Sequence, residues 1–298
     1  MEKNIFGKLN NFSILNATDN DWEFIKERLE QHVKSLSPSF SNNPVVCFNR
    51  CIKENGEVVA GMMAEAYCNA TVFVDVLWVR EDFRGKGYAT ALMNDVEKWA
   101  FESGRRCVFL STYTFQARAF YEKLGYTVFG AITDCPQKGQ DDFYLAKTLT
   151  DTTYSTDIEI HDATNDDLEV IWRSLVEYNK SKIPFTQSPN NIRFGKCIKD
   201  GDDTVAGIVS LSSCWKLFYI LGVWVDETHR NKGYATALIK AAEKEARDFG
   251  CEVAILETFS PEMRRVCEKL DYEVYGTLEN YPEGYTRYFM SKKFSLQN

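Results

Sequence analysis

The chain has 298 residues, and its 35 basic against 43 acidic side chains leave a net charge of −8. That balance disfavours nucleic acid or an anionic membrane as partner; it would suit cationic, amine-bearing ones, although simple solubility accounts for it as well. No run approaches the ~20 apolar residues of a membrane span, and the first residues lack the apolar core of a secretory signal. The nine scattered cysteines suit reduced thiols in a cytoplasmic setting, and with His32, His161 and His229 unmatched between the two halves no metal site is expected.

In chain order, a strand is expected over residues 12–17. A helix follows over 19–36, with Asp19 or Asn20 as its cap and Trp22, Ile25, Leu29, His32 and Val33 along one face. Residues 37–44 form a polar, proline-punctuated loop of the kind that carries selectivity. Strands over 47–53 and 58–67 flank Asn55-Gly56, a hairpin signal, and a fourth strand covers 71–79. A basic, glycine-containing turn at 84–89 then opens a helix that Gly104 closes. A strand over 108–112, a helix over 116–124 and strands over 126–132 and 143–147 complete the unit. The result is an α/β unit with a mixed sheet flanked by helices.

The whole pattern then returns. Trp78–Leu92 and Trp224–Leu238 share eleven of fifteen residues at an offset of 146. The same offset aligns Cys51-Ile-Lys with Cys197-Ile-Lys, Val59-Ala-Gly with Val205-Ala-Gly, and Glu122-Lys-Leu with Glu268-Lys-Leu. Two repeats of this length are too few and too long for a solenoid, and each is large enough for its own core. The expected division is residues 1–149, a polar linker at 150–157, and residues 158–298.

In each repeat an apolar strand feeds a helix through Arg-x-x-Gly-x-Ala. Such a turn leaves backbone N–H groups free at the positive end of the helix dipole, which is a pyrophosphate cradle. In the first repeat it comprises Arg84, Gly85, Lys86, Gly87, Tyr88, Ala89 and Thr90. In the second it comprises Arg230, Asn231, Lys232, Gly233, Tyr234, Ala235 and Thr236, with Asn231 tolerated because asparagine also visits the left-handed region.

This turn after the fourth strand, together with Ala119-Phe-Tyr-Glu-Lys-Leu-Gly-Tyr126 before the sixth, resembles the GNAT N-acetyltransferases (acyl-CoA N-acyltransferases) over both halves. The resemblance implies two tandem GNAT domains and acetyl-CoA as donor, without a metal. Its pantetheine would pair along Leu77 and Val79, or Val223 and Val225 in the second repeat. The acceptor would be a primary amine on a small molecule or a protein, acetylated directly in a ternary complex. Tyr121 matches the tyrosine that many of these enzymes place near the cofactor sulfur, where a phenol can protonate the leaving thiolate. It also reads as a core aromatic. The second repeat has Cys267 there, which points to drift from catalysis.

A base is harder to place. Simple alternation sets Asp75 on the face of Leu77 and Val79, although a bulge would break that parity. The second repeat offers Glu257 where the first has Ser111. Trp78 and Trp224 read as core facing the helix layer, and the aromatic segment 281–289 as lining for the second repeat's acceptor groove. Either repeat can lend surface to the other, and the expected assembly is a monomer that imitates a dimer within one chain. The competing reading is a module that binds CoA or a partner without turnover. Tandem GNAT proteins also occur among effectors that intracellular bacteria deliver into host cells, the VipF-like type, and the composition is compatible with that.

Overall fold

Alternating apolar residues set the strands, and the turn chemistry sets where they end. The computed structural model describes residues 12–36, 45–66, 70–151 and 156–294. The 37–44 loop, the N-terminal residues 1–11 and residues 152–155 of the linker lie outside them. The first repeat runs β1 (Ile14–Asn16), α1 (Asp19–Leu36), β2 (Val46–Glu54), β3 (Glu57–Ala66), β4 (Thr71–Val79), α2 (Tyr88–Glu102), β5 (Cys107–Tyr113), α3 (Arg118–Lys123), β6 (Thr127–Ile132) and β7 (Asp142–Thr148). The second repeats that order as β8 (His161–Asp162), α4 (Asn165–Lys182), β9 (Asn191–Asp200), β10 (Asp203–Ser213), β11 (Leu217–Val225), α5 (Tyr234–Phe249), β12 (Val253–Thr258), α6 (Pro261–Glu268), β13 (Glu273–Glu279) and β14 (Thr286–Lys293). The β2–β3 turn is left-handed at both Asn55 (φ 53°) and Gly56 (φ 82°), which only such residues adopt readily.

The compact units do not follow the sequence halves. One contains Lys34–Phe185 with Val274–Phe289, and the other contains Met1–Val33, Thr186–Glu273 and Met290–Asn298. They are called here the Arg84 unit and the Arg230 unit, after their cradle arginines. Each sheet is completed by the opening strand and helix of the other repeat. In the Arg230 unit, β1 pairs antiparallel with β9, Leu15 opposite Cys197, and in the Arg84 unit β8 pairs with β2, His161 opposite Cys51.

The helices follow, and their contacts are equivalent one for one. Ile171 of α4 lies over Gly61 of β3, and Ile25 of α1 lies over Gly207 of β10. Asp167 pairs with Lys53 at 2.9 Å, and Asp21 pairs with Lys199 at 2.9 Å. Burial alone would raise these carboxyls, but hydrogen bonds from the lysine and from a threonine hold both below the usual range. Those threonines are the true caps. Thr18 and Asp21 form the same reciprocal box as Thr164 and Asp167, so Asp19 and Asn20 already lie within α1. Trp22 and Ile25 are buried as expected, whereas Val33 is exposed.

Within the Arg84 unit the strand order is β13-β6-β7-β5-β4-β3-β2-β8. Helix α2 covers one face over Ala60, Met62, Val72 and Val74. Helix α4 covers the other over Cys51, Val76 and Trp78, so Trp78 packs against the helix brought in from the second repeat. The segment Val274–Phe289 also belongs to this unit. Phe289 packs on Phe109, Phe129 and Tyr144, and Gly276 pairs with Gly130. Part of the aromatic segment 281–289 therefore packs, through Phe289, within the Arg84 unit.

Candidate active site

Strands β4 and β5 pair in parallel from Thr71 opposite Cys107 to Val74 opposite Leu110, and past that point they separate. The gap opens into a cavity of about 530 Å³ lined by Asp75, Leu77, Val79, Ser111, Gln116 and Tyr121, among others. Its far end is the cradle, where Arg84, Gly85, Gly87, Tyr88, Ala89 and Thr90 all border the cavity. Lys86 is exposed beside it, its ammonium 4.1 Å from the Phe83 ring centroid.

The cradle's shape follows from backbone conformation. Gly87 caps α2 at φ 88° and Gly85 has φ 79°, both left-handed. A Cβ on Gly85 would meet nothing within 4 Å. Unlike α4 and α6, helix α2 has no side-chain cap. Its first N–H groups thus remain available to an anion, which the helix dipole favours. The second cradle copies this geometry, with Asn231 at φ 63°, Gly233 at φ 81° and an uncapped α5. Arg84 Nε donates to the Val79 carbonyl and Arg230 Nε to that of Val225. Tyr88 is committed elsewhere through its hydroxyl, which donates to the Glu54 carboxylate.

Asp75 does not share a face with Leu77 and Val79. On β3, Met63 pairs with Val76 and Ala64 with Val74, so Asp75 is the extra residue of a bulge. Leu77 and Val79 pack toward the α2 core, whereas Asp75 points to the face of Phe73 and Glu65. Its carboxylate meets water along the cleft and is otherwise ringed by the cavity walls. That partial burial, with Glu65 nearby, raises its pKa to about 6.

Tyr121 is buried on Phe120 and Tyr126 and borders the same cavity, and burial pushes its phenol far above the usual range. It therefore stays protonated. Cys267, at the equivalent position, is sealed in the core with its pKa raised to about 12 by burial and by Glu243 and Glu268. In the Arg230 unit β11 and β12 pair from Leu217 opposite Val253 to Ile220 opposite Leu256, and Val223 and Val225 lie on the stretch beyond. The bulge there falls on Leu221, which is 54% exposed, and Glu257 is exposed one residue past the last pair. A second acid went unseen in the sequence. Asp142 of β7 is buried, one carboxylate oxygen has no hydrogen-bond partner, and burial raises it to about 7 against the hydroxyls of Tyr144 and Ser111. The visible signal was an aspartate directly before the apolar run Phe143–Ala146 of the closing strand.

The chain is similar to known acetyltransferases. The description "Acetyltransferase (GNAT) family" matches residues 12–126 and again 158–272. Acetyltransferase Atu2258 of Agrobacterium fabrum is 29% identical over 97 residues, covering 33% of this chain and 71% of that protein. Blasticidin-S acetyltransferase of Streptomyces morookaense is 29% identical over 80 residues, 26% of this chain and 59% of its own length. A crystal structure of an acetyltransferase from Bacillus cereus aligns at 31% identity over 46% of this chain and 97% of that chain, with a TM-score of 0.43. With both repeats matched over most of their length, the chain belongs to the acetyltransferase (GNAT) family.

Proposed function

We propose that the Arg84 unit transfers acetyl from acetyl-CoA to a primary amine by direct transfer in a ternary complex. The observation that carries this is one cavity joining three parts: the split between β4 and β5, the uncapped N-terminus of α2, and an aspartate with a pKa near 6. The residues present fit the donor. Left-handed glycines with open space in front of them admit phosphates, and Arg84 and Lys86 add positive charge. Beyond Val74 the free edge of β4 offers backbone groups to an extended amide chain.

When bound, the donor supplies an activated acyl group. The chain's own residues do the rest. Asp75, directly or through a water, takes a proton from the incoming ammonium, for which a pKa near 6 leaves it ionised at neutral pH. The amine then attacks the carbonyl, the departing sulfur takes its proton from Tyr121, the phenol that burial keeps protonated, and the cationic nitrogen of the adduct gives up its extra proton to restore that phenol, directly or through a water. A relative in the comparison is named for acetylating blasticidin S, which supports an amine-bearing small molecule as acceptor class. Amino groups of proteins remain within the same chemistry, as for the VipF-like effector type.

The second cradle, with Arg230, Lys232 and Gly233 intact and Cys267 where Tyr121 would be, is proposed to bind CoA with little turnover. On this reading the chain acts as a monomer, without nucleic acid or membrane partners. The described residues contain no helix long and apolar enough to cross a membrane. Incubating the full chain with acetyl-CoA and a broad amine and peptide panel, with products read by mass spectrometry, tests the proposal. Acceptor-dependent CoA release supports transfer. Binding of CoA with no acetylated product across the panel would leave a binding module instead.

A further inference from the structure

One wall of the Arg84 cleft comes from the other repeat. Leu175 and Tyr178, both on α4, line the cavity together with Asp75 and Tyr121. Helix α4 is held there by a face spaced three and four residues apart. Asp167 pairs with Lys53, Ile171 fills the space over Gly61, and Asn179 accepts a 2.9 Å hydrogen bond from Gln116. Tyr178 spans the opening between the split strands. Its hydroxyl donates to the Phe115 carbonyl beyond β5 at 3.3 Å, and the Arg84 guanidinium lies 5.1 Å from its ring centroid beyond β4.

The position of that wall decides what it meets. Helix α2, whose N-terminus forms the cradle, packs on one face of the sheet, and α4 packs on the opposite face. Asp75 points to the α4 face because of its bulge. A donor laid from the cradle along Val79 and Leu77 therefore leaves the α4 face to the nucleophile. The corresponding wall of the Arg230 unit differs in chemistry. The residues at these positions of α1 are Leu29, packed against Gly222, and His32, which burial and Arg230 keep below its usual pKa. Val33, the counterpart of Asn179, is exposed.

We infer that Leu175 and Tyr178 of the second repeat determine acceptor selectivity at the first repeat's cleft, favouring a monoamine on an aromatic or alkyl stem. Asp75 supplies one carboxylate for one ammonium, the leucine and the tyrosine ring cover the stem, and Arg84 beside the ring disfavours a second cation. This rests on the transferase reading above, and the test keeps the two apart.

The full chain and its Tyr178→Ala, Tyr178→Phe and Leu175→Ala variants are assayed with 2-phenylethylamine, hexylamine and spermidine. Binding of 2-phenylethylamine with CoA present is measured in parallel by calorimetry. The expected result is that the alanine variants raise the phenylethylamine KM and Kd roughly tenfold or more, with the acetyl-CoA KM within about twofold, and narrow the preference over spermidine. Tyr178→Phe should restore the wild-type values. Equal movement of both KM values, no change in either, or a wild-type chain that prefers spermidine overturns the inference. Wild-type binding of phenylethylamine without turnover, weakened by Tyr178→Ala, sinks the transferase reading and leaves the wall in place; failure of the amine to bind at all removes the wall too. Placement of α4 is tested without activity. Cys51 Sγ lies 3.8 Å from an Asp167 carboxylate oxygen, so under oxidation Asp167→Cys should link to Cys51, read by non-reducing peptide mapping. A link to Cys197 instead overturns the inference.

Discussion

Replacing Gly61 with alanine asks which helix covers β3. The added methyl would stand 2.1 Å from Cδ1 and 2.4 Å from Cγ1 of Ile171, with the Arg50 carbonyl 3.3 Å away. Ile171 is fully buried, so relief requires α4 itself to shift. Overpacking of this kind costs ~1–3 kcal/mol. For a unit of this size that is roughly 2–4 °C of Tm per kcal/mol. Ile171→Ala alone leaves a cavity and costs ~2–5 kcal/mol. Together the two changes partly cancel, because the new methyl enters the space the isoleucine leaves, so the pair should fall short of additivity by ~0.5–3 kcal/mol. Ile25, the counterpart of Ile171 within the first repeat, packs on Gly207 instead. Gly61→Ala with Ile25→Ala should therefore add within ~0.5 kcal/mol. Two units can unfold separately, so both cycles are read by calorimetry on the transition that Ile171→Ala alone displaces. Coupling of Gly61 to Ile25 and not to Ile171 would show that each helix stays with its own repeat, and the reasoning would fail.

Three further outcomes are expected. Asp75 must be ionised to accept a proton, so kcat/KM should rise as pH increases through about 6; Asp75→Asn should cost ~10²–10⁴-fold, and Glu65→Gln, which removes a neighbour raising that pKa, should move the midpoint to lower pH. An unmoved profile in both variants excludes Asp75 as the base. Tyr121→Phe keeps the packing and should lower kcat by a similar ~10²–10⁴-fold, while Cys267→Ala leaves it nearly unchanged; the opposite order, or a collapse in Glu257→Gln alone, would place turnover in the Arg230 unit. Gly87→Glu and Gly233→Glu put a side chain and a negative charge at left-handed cradle positions, so each should remove CoA binding from its own unit by calorimetry. A change well under tenfold, ~1.4 kcal/mol, would mean that loop is not the cradle.

The local parts of this architecture were legible in the sequence because they are written locally. The Asn55-Gly56 hairpin, the Arg-x-x-Gly-x-Ala turns and the helix over Asp19–Leu36 each depend on neighbours a few residues away. The bulge at Asp75 was not legible, since it is a mismatch in pairing with β3 and alternation along β4 alone points the side chain to the wrong face. Asp142 was missed because its raised pKa comes from burial between β5 and β6, a tertiary setting that the sequence of β7 does not itself carry. The helix exchange left no sequence signature for a stronger reason. Because the repeats are so alike, Ile25 fits over Gly61 or Gly207 and Asp21 fits Lys53 or Lys199; composition cannot choose between equivalent sockets.

That equivalence has a consequence for synthesis on the ribosome. Helix α1 is made well ahead of the glycine it covers, Gly207, which follows Ile25 by some 180 residues. At about 5–20 residues per second that is a delay of roughly 10–35 s. For the part of that interval between Gly61 and Ile171, 110 residues later, the nascent chain holds both Ile25 and an unfilled place over Gly61, which α4 is to fill. The order of translation thus favours the premature pairing, and the finished protein must either resist it at the outset or undo it when the second helix emerges.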